Sequence, residues 1–149
     1  MAALDLLLDA DGDLDTATGD LVLTEDDATG IAQRLQTRLR LGLGEYALDV
    51  TAGVPWRQEI LVKGRDVEPA RAVLSAQILT TPGVVGLAEL DVQLDAATRG
   101  LTATFVALVL PPETGLEDDL TPQDIRGELG LEDGEIDLVC LVEGPGGFL

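Results

Sequence analysis

The chain opens with two short apolar runs, at residues 4–8 and 21–23, separated by an acidic stretch that is rich in turn-forming residues. This arrangement is typical of a β-hairpin or of two paired strands. From about residue 26 to residue 41 the spacing changes, and apolar residues recur at every fourth position. That period predicts an amphipathic helix, with Asp26 and Asp27 at its cap and first turn.

The next part of the chain predicts a strand, a turn and a second helix. Residues 44–50 are expected to form a short strand, and Val54-Pro55-Trp56 opens a tight turn that leads into a helical turn ending near Leu61. A helix is predicted from about residue 66 to residue 79. Pro69 is tolerated there because it falls in the first helical turn, and apolar residues recur on one side.

Two β-rich runs follow, at residues 84–94 and 101–110. In the later run apolar residues occupy every second position, which marks one buried face of an antiparallel pair. These positions are Leu101, Ala103, Phe105, Ala107 and Val109. The pair either offers an open sheet edge to another chain or forms a hairpin that binds no other chain and is covered by the two helices.

The two prolines at residues 111–112, with the acids that follow them, mark a boundary. Beyond it a short helix is expected to start near Thr121, and a last strand is expected over residues 136–142. The predicted fold class is α+β, with a small antiparallel β-sheet packed against two main helices. The predicted regions are an acidic N-terminal hairpin or arm (1–18), an α+β domain (19–110) and an acidic C-terminal extension (111–149).

Composition and charge narrow the class of partner. Apolar residues make up 46% of the 149 positions and aromatic residues only 3%, so a core of ordinary size is expected to be aliphatic. The formal net charge is -19, with acids dominating both ends, whereas residues 31–71 carry seven bases and five acids. Phosphate and anionic membranes would repel these ends, so nucleic acid and membranes are poor partners and a basic protein surface is a better one. The acidity also fits a solvated surface that keeps the protein soluble.

The side-chain inventory excludes several classes of chemistry. The chain has no histidine, which removes Ser-His-Asp and Cys-His nucleophile systems and every His-ligated metal site. Cys140 is the only cysteine, so an internal disulfide or a multi-cysteine metal site cannot form. No apolar run approaches the length of a membrane span, and the first residues lack the basic start of a signal peptide. A soluble protein with no cofactor, made inside the cell, is expected.

Two acidic features could still carry chemistry. Aspartates at positions 9, 11, 13, 15 and 20 partly match a calcium loop, but Leu14 stands where that loop needs a bending glycine. A turn or solvated loop is the better interpretation, and no metal site is predicted. Glu45 could act as the acid of a glycan hydrolase, but no partner carboxylate is evident and aromatic residues for sugar stacking are scarce. The chain is therefore predicted not to be an enzyme.

Short motifs occur in a fixed order between residues 19 and 110. They are Gly19-Asp20-Leu21, Gln33-Arg34-Leu35, Gly44-Glu45-Tyr46, Leu48-Asp49, Gly53-Val54-Pro55-Trp56, Glu59-Ile60-Leu61-Val62-Lys63-Gly64 and Ile78-Leu79-Thr80-Thr81-Pro82-Gly83-Val84. In this order they resemble the gene-25-like baseplate proteins, or sheath initiators, of contractile phage tails and related injection systems. Residues 111–149 lie outside the resemblance.

The resemblance implies a structural, non-enzymatic component of the virion, located in the tail baseplate. Such a domain would sit where the baseplate wedge meets the tail tube and would offer a sheet edge to the first ring of sheath subunits. Strand addition, in which main-chain hydrogen bonds join two chains edge to edge, would supply that contact. The implied partners are the tail sheath protein, baseplate wedge proteins and tail tube or hub proteins, with about six copies per particle. The alternative is a stand-alone α+β binding or adaptor module, because a fold does not fix a function.

Ten residues are candidate contacts with such partners. The basic ones form either a solvated helix face or a contact surface for an acidic neighbour. Trp56 is more often a core residue at such a position than a binding hot spot. Three residues belong to the later β-rich run, and either this run or its neighbour would be the strand at the open edge. The ten are Arg34, Arg38, Arg40, Trp56, Arg57, Lys63, Arg65, Thr102, Thr104 and Val106.

Overall fold

The computed structural model of the chain describes residues 5–24, 27–61, 66–95, 97–98, 100–109, 123–132 and 135–143. These residues form two α-helices, one π-helical turn and a four-stranded antiparallel sheet, which confirms the predicted α+β class. The helices are α1 (Ala28–Arg40) and α2 (Val67–Leu79), and the π turn is Trp56–Ile60. The strands are β1 (Val84–Asp95), β2 (Gly100–Val109), β3 (Gln123–Glu132) and β4 (Glu135–Glu143).

Both helices begin after an aspartate that caps the first turn. The Asp27 carboxylate accepts a hydrogen bond from the Gly30 backbone N–H at 2.9 Å, and the Asp66 carboxylate accepts one from the Val67 N–H at 2.8 Å. These bonds satisfy backbone donors that a helix start leaves without a partner. The predicted cap at Asp27 is confirmed, whereas Asp26 lies outside the described residues.

Each helix buries one side against the sheet. α1 packs on β3 and β4, and α2 packs on β1. The side chains that meet the sheet recur at the predicted helical spacing and are at most 2% exposed. They include Ile31, Leu35 and Leu39 in α1, and Ala70, Leu74 and Ile78 in α2. The two helices thus cover one face of the sheet from opposite ends.

Each strand of the sheet pairs with the next strand along the chain, in the order β1-β2-β3-β4. The face of β2 that meets the helices buries the alternating residues that the sequence pattern selects, which are Leu101, Ala103, Phe105, Ala107 and Val109. The opposite face presents mainly polar residues, among them Glu89, Asp91, Gln93, Thr102, Thr104 and Glu128, all of them exposed. One face of the strand pair is therefore covered by helices and the other faces solvent.

A glycine in β3 makes room for the one aromatic side chain of the sheet core. Phe105 of β2 is paired with Gly127 of β3, and Phe105 is 1% exposed. A β-carbon added at Gly127 would overlap the Phe105 ring. The ring therefore occupies the space that a side chain at residue 127 would need, and it fixes the register of the two strands.

The two N-terminal apolar runs pair with each other as predicted, but through isolated bridges instead of a continuous ladder. Leu6 and Leu23 form an antiparallel bridge, and the Leu7 N–H donates to the Val22 carbonyl oxygen at 2.8 Å. The side chain of Gln33 in α1 donates to the Leu6 carbonyl oxygen at 2.8 Å. This bond holds the N-terminal segment against the first helix.

Two predicted elements are wrong. Residues 44–50 form consecutive turns instead of a strand, since the Asp49 N–H donates to the Tyr46 carbonyl oxygen at 3.1 Å. The helix expected near Thr121 is also absent from the described residues, because the chain from Gln123 onward is β3. Buried and less buried residues alternate through β3 with the period of two that a strand requires. Thr121 itself lies outside the described residues.

The two C-terminal strands extend the sheet that β1 and β2 begin. β3 pairs with β2 along nearly its whole length, and every residue of β4 has a partner in β3. β4 spans the positions of the predicted last strand. The division of the chain at residues 18 and 110 stays a prediction, but residues 123–143 contribute two strands to the common sheet.

We expect Gly127→Ala to lower the free energy of unfolding by roughly 1–3 kcal/mol, because the new methyl group forces the Phe105 ring or the strand to move. Thermal unfolding followed by circular dichroism measures this change. Gly130→Ala is the matched control, since a β-carbon there has no heavy atom within 4 Å. Equal melting temperatures for the two variants would show that the ring does not need the space.

Candidate interaction surfaces

The strands β1 and β4 lie at the two ends of the sheet, and each of them pairs with one other described strand. The pairing of β1 with β2 has irregularities between Val84 and Gly86 and between Leu87 and Glu89. Such bulges discourage unplanned pairing along an edge strand. From residue 90 to residue 95 the register of β1 is regular. This half of β1 therefore has a regular register, and at its start the Leu90 carbonyl oxygen accepts a hydrogen bond from Arg71 Nη1 at 3.1 Å.

The three candidate residues of β2 lie in an interior strand, so of the two strands of the predicted pair it is not β2 that ends the sheet. Thr104, for example, is paired with Asp91 on one side and with Glu128 on the other. The physical reason is that β3 occupies the side of β2 away from β1. Thr102 and Thr104 are exposed on the outer sheet face, and Val106 is 8% exposed. Whether these side chains contact a partner stays a prediction.

Arg34 and Arg38 of α1 bind the C-terminal end of α2 and the turn after it. Arg38 Nε donates to Gln77 Oε1 at 3.0 Å, and Arg38 Nη2 donates to Thr80 Oγ1 at 2.8 Å. Arg34 Nη1 donates to the Pro82 carbonyl oxygen at 3.0 Å. The two guanidinium groups therefore act as cross-links between the helices.

Arginines also tie each helix to an end strand of the sheet. Arg40 Nη2 donates to the Leu138 carbonyl oxygen in β4 at 3.0 Å, and Arg71 Nη1 donates to the Leu90 carbonyl oxygen in β1 at 3.1 Å. Arg71 also lies 3.7 Å from the Glu68 carboxylate, measured from its Nε. Most of the described arginines therefore donate hydrogen bonds to other parts of the same chain.

The remaining predicted contacts fall in different places. Arg57 is exposed, and Lys63 and Arg65 lie outside the described residues. Trp56 is 4% exposed, and its Nε1 donates to the Leu39 carbonyl oxygen at 3.1 Å. The structure therefore agrees with the interpretation of Trp56 as a core residue, and its ring is not available to a partner. Whether the basic group also contacts another protein stays a prediction.

Three exposed apolar residues belong to a loop that the sequence pattern assigned to a strand. Tyr46 is 46% exposed, Leu48 is 85% exposed and Val50 is 63% exposed. Their spacing of two mimics a strand. The signal that could have identified a loop is the pair of flanking glycines, Gly44 and Gly53, because both have positive φ angles, of 87° and 108°.

The carboxylates singled out for chemistry are used by the backbone around them. Asp9 Oδ1 accepts hydrogen bonds from the N–H groups of Asp11 and Asp13, both at 3.0 Å. Glu45 Oε2 accepts one from the Gly42 N–H at 2.9 Å. Within the described ranges, no group of three or more His, Cys, Asp or Glu residues is placed to hold a metal ion.

Cys140 of β4 is a poor nucleophile because of its surroundings. Burial raises the pKa of its thiol to about 12, and the nearby positive charge of Arg40 offsets only part of this effect. Since the thiolate is the reactive form, the side chain stays protonated and unreactive at neutral pH.

No helix in the part of the chain that the structure describes is long and apolar enough to cross a membrane.

We expect Arg38→Met to lower the free energy of unfolding by roughly 1 kcal/mol, because it removes the hydrogen bonds between α1 and the end of α2. Arg57→Met removes the same charge from an exposed position and should leave stability unchanged. Urea unfolding of both variants measures the difference. Equal losses would mean that the change in net charge, and not the lost hydrogen bonds, is responsible.

We expect iodoacetamide at pH 8 to alkylate Cys140 roughly a thousandfold more slowly in the folded chain than in urea. The folded-state pKa of about 12 leaves almost no thiolate at that pH, whereas unfolding returns the thiol towards its ordinary value of 9.0. Mass spectrometry of timed reactions gives both rates. Similar rates in the two states would contradict the burial of the thiol.

Residues 4–110 match the family described as contractile injection system sheath initiator. The comparison with curated proteins gave no match. The matched region contains the N-terminal segment, both helices, β1 and β2, whereas β3 and β4 lie beyond it. The match covers well over half of the 149 residues, so the chain belongs to the contractile injection system sheath initiator family.

Proposed function

We propose that this sheath initiator starts sheath polymerisation by adding a strand of the first sheath subunit to the free edge of β1. The position of β1 carries the proposal: it ends the sheet, and it lies inside the region that defines the family. β2 is the other strand of that region, but β3 already fills its second side. Among the strands of the family region, β1 is therefore the one whose outer side no other described strand pairs with.

The regular half of β1 has the properties that strand addition requires. An incoming strand would bind through main-chain hydrogen bonds, so its affinity would depend little on the side chains at the edge. Asp91, Gln93 and Asp95 are exposed along this half. Carboxylates next to an added strand favour basic side chains on it, because opposite charges across paired strands are stabilising.

The role we propose is structural. The Glu45 carboxylate is hydrogen-bonded within its own loop and the Cys140 thiol is protonated, so neither side chain supports a catalytic function. The proposed location is the tail baseplate of the particle, after synthesis in the host cytoplasm. The proposed partners are the sheath protein together with baseplate wedge and tube or hub proteins, in about six copies per particle.

Site-specific cross-linking tests the proposed edge. A photo-reactive benzoylphenylalanine at Gln93, which is exposed on the regular half of β1, should cross-link to purified sheath subunits on illumination. The same residue at Thr104 is the matched control, because Thr104 is exposed on the same sheet face but lies in interior strand β2. A further variant carries it at Val139 of β4, which is 51% exposed.

The expected result is efficient cross-linking from residue 93 and little from residues 104 and 139. Cross-linking from residue 139 alone would move the docking edge to β4 and overturn the assignment to β1. Equal yields from all three positions would indicate contact through the sheet face and would overturn strand addition. Circular dichroism spectra of the three variants establish that each remains folded.

A further inference from the structure

The loop that joins α1 to the π turn presents apolar side chains to solvent. We call residues 44–52 the apolar loop. Tyr46, Leu48 and Val50 lie within five positions of one another and expose 46%, 85% and 63% of their surface. Single exposed apolar residues are ordinary on protein surfaces, but a group of this size is typical of a contact with another protein.

The apolar loop is held in place without using these side chains. At its base, the Leu43 N–H donates to the Val54 carbonyl oxygen at 2.9 Å and the Val54 N–H donates to the Leu41 carbonyl oxygen at 2.8 Å. Gly53 permits this approach, because a β-carbon there would lie 2.6 Å from the Gly42 backbone. The loop therefore keeps its shape while its apolar residues stay available.

Further hydrogen bonds fix the interior of the apolar loop. Glu45 Oε2 accepts from the Gly42 N–H at 2.9 Å, and Asp49 Oδ1 accepts from the Thr51 hydroxyl at 2.6 Å and from the Thr51 N–H at 3.0 Å. A loop already ordered in the free protein loses little conformational entropy on binding. Leu48 and Val50 are largely exposed, so the order of the loop favours their use in binding.

We propose that the apolar loop docks into an apolar pocket edged by basic side chains on a protein other than this chain. The carboxylates of Glu45 and Asp49 flank the apolar residues and are exposed. Hydrogen bonds from Thr51 lower the pKa of Asp49, so its charge persists at neutral pH. A second copy of this chain is a poor occupant, because its net charge is -19 and Arg34, Arg38, Arg40 and Arg71 already donate to their own chain.

The apolar loop lies near the β4 end of the sheet, opposite the β1 edge. The loop follows α1, which packs on β3 and β4 and which Arg40 ties to Leu138 of β4. Three inter-strand spacings separate β4 from β1, or roughly 14 Å. A sheath strand on β1 would leave the apolar loop accessible. We place the pocket that receives the loop on a baseplate protein. This placement rests on the proposed function, whereas the docking surface itself does not.

The experiment uses tail tubes with baseplates assembled in cells that lack this chain. Full-length wild-type protein, Leu48→Ser and Leu21→Ser are added, and co-sedimentation measures binding. Leu21→Ser is the matched control, because Leu21 is 52% exposed on the N-terminal segment and the chemical change is the same. All three proteins should melt at similar temperatures, since both substituted side chains are exposed.

We expect Leu48→Ser to bind these particles roughly tenfold more weakly than wild type, and Leu21→Ser to bind like wild type. Wild-type binding should weaken as salt rises, because the carboxylates of the loop pair with basic groups. Binding of Leu48→Ser within about twofold of wild type would overturn the proposal. The proposal would also be overturned if the wild-type protein self-associates in sedimentation experiments and Leu48→Ser does not, since the loop would then bind a second copy of this chain.

A second readout separates this proposal from strand addition. Leu48→Ser with benzoylphenylalanine at residue 93 should still cross-link to purified sheath subunits, because that contact uses β1. If the protein with benzoylphenylalanine at residue 93 and an unchanged Leu48 binds particles but gives no cross-link, strand addition at β1 fails while docking of the loop stands. Loss of both particle binding and cross-linking in Leu48→Ser would indicate a change in the fold. Val50→Ser then repeats the two measurements at a second position of the loop. A repeated loss of both would overturn the proposal.

Discussion

The pairing of β2 with β3 determines most of what this molecule can do. β3 occupies the side of β2 away from β1, so main-chain groups that a two-stranded sheet would leave open are satisfied within the chain. The pairing also brings Gly127 beneath Phe105 and Ile125 and Leu129 into the core. A single set of strand contacts therefore closes one edge, completes the aliphatic core and leaves β1 and β4 as the ends of the sheet.

The few basic residues of this acidic chain hold its elements together. Arg38 and Arg34 join α1 to the end of α2, Arg40 joins α1 to β4, and Arg71 joins α2 to β1. A charged donor to a carbonyl or amide oxygen makes a stronger hydrogen bond than a neutral donor does. With nine basic residues against 28 acidic ones, this use of the arginines leaves an exterior that is mainly negative. The proposed partners therefore have to supply the positive charge.

Local sequence patterns predicted the helix α1 and the strand β2, because the signals for both lie within the element itself. The four-residue spacing of Ile31, Leu35 and Leu39 and the cap at Asp27 gave α1, and the alternation in residues 101–109 gave the buried face of β2. Both signals report which face of an element is buried. Neither reports which other element covers that face.

The errors share that physical origin. β2 became an interior strand because of a partner that begins at Gln123, and no local pattern in β2 announces such a partner. The arginines were predicted to form either a solvated helix face or a contact surface, and no local pattern shows that the acceptor of Arg40 lies 98 residues away along the chain. Tyr46, Leu48 and Val50 repeat every second residue without belonging to a sheet, because Gly44 and Gly53 turn the chain on either side. A period of two predicts a strand only where another strand is available to pair with it.

The two proposed surfaces bind by different physical means, and the difference suits an initiator. An edge such as residues 90–95 of β1 is recognised through main-chain groups, so it accepts a strand that every sheath subunit can supply. The apolar loop is recognised through the shapes of Tyr46, Leu48 and Val50, so it selects one complementary pocket. A protein that starts a polymer at one fixed place has to be tolerant towards the repeating subunit and selective towards the site of attachment. In these proposals the edge and the loop lie at opposite ends of one sheet, so neither contact would obstruct the other.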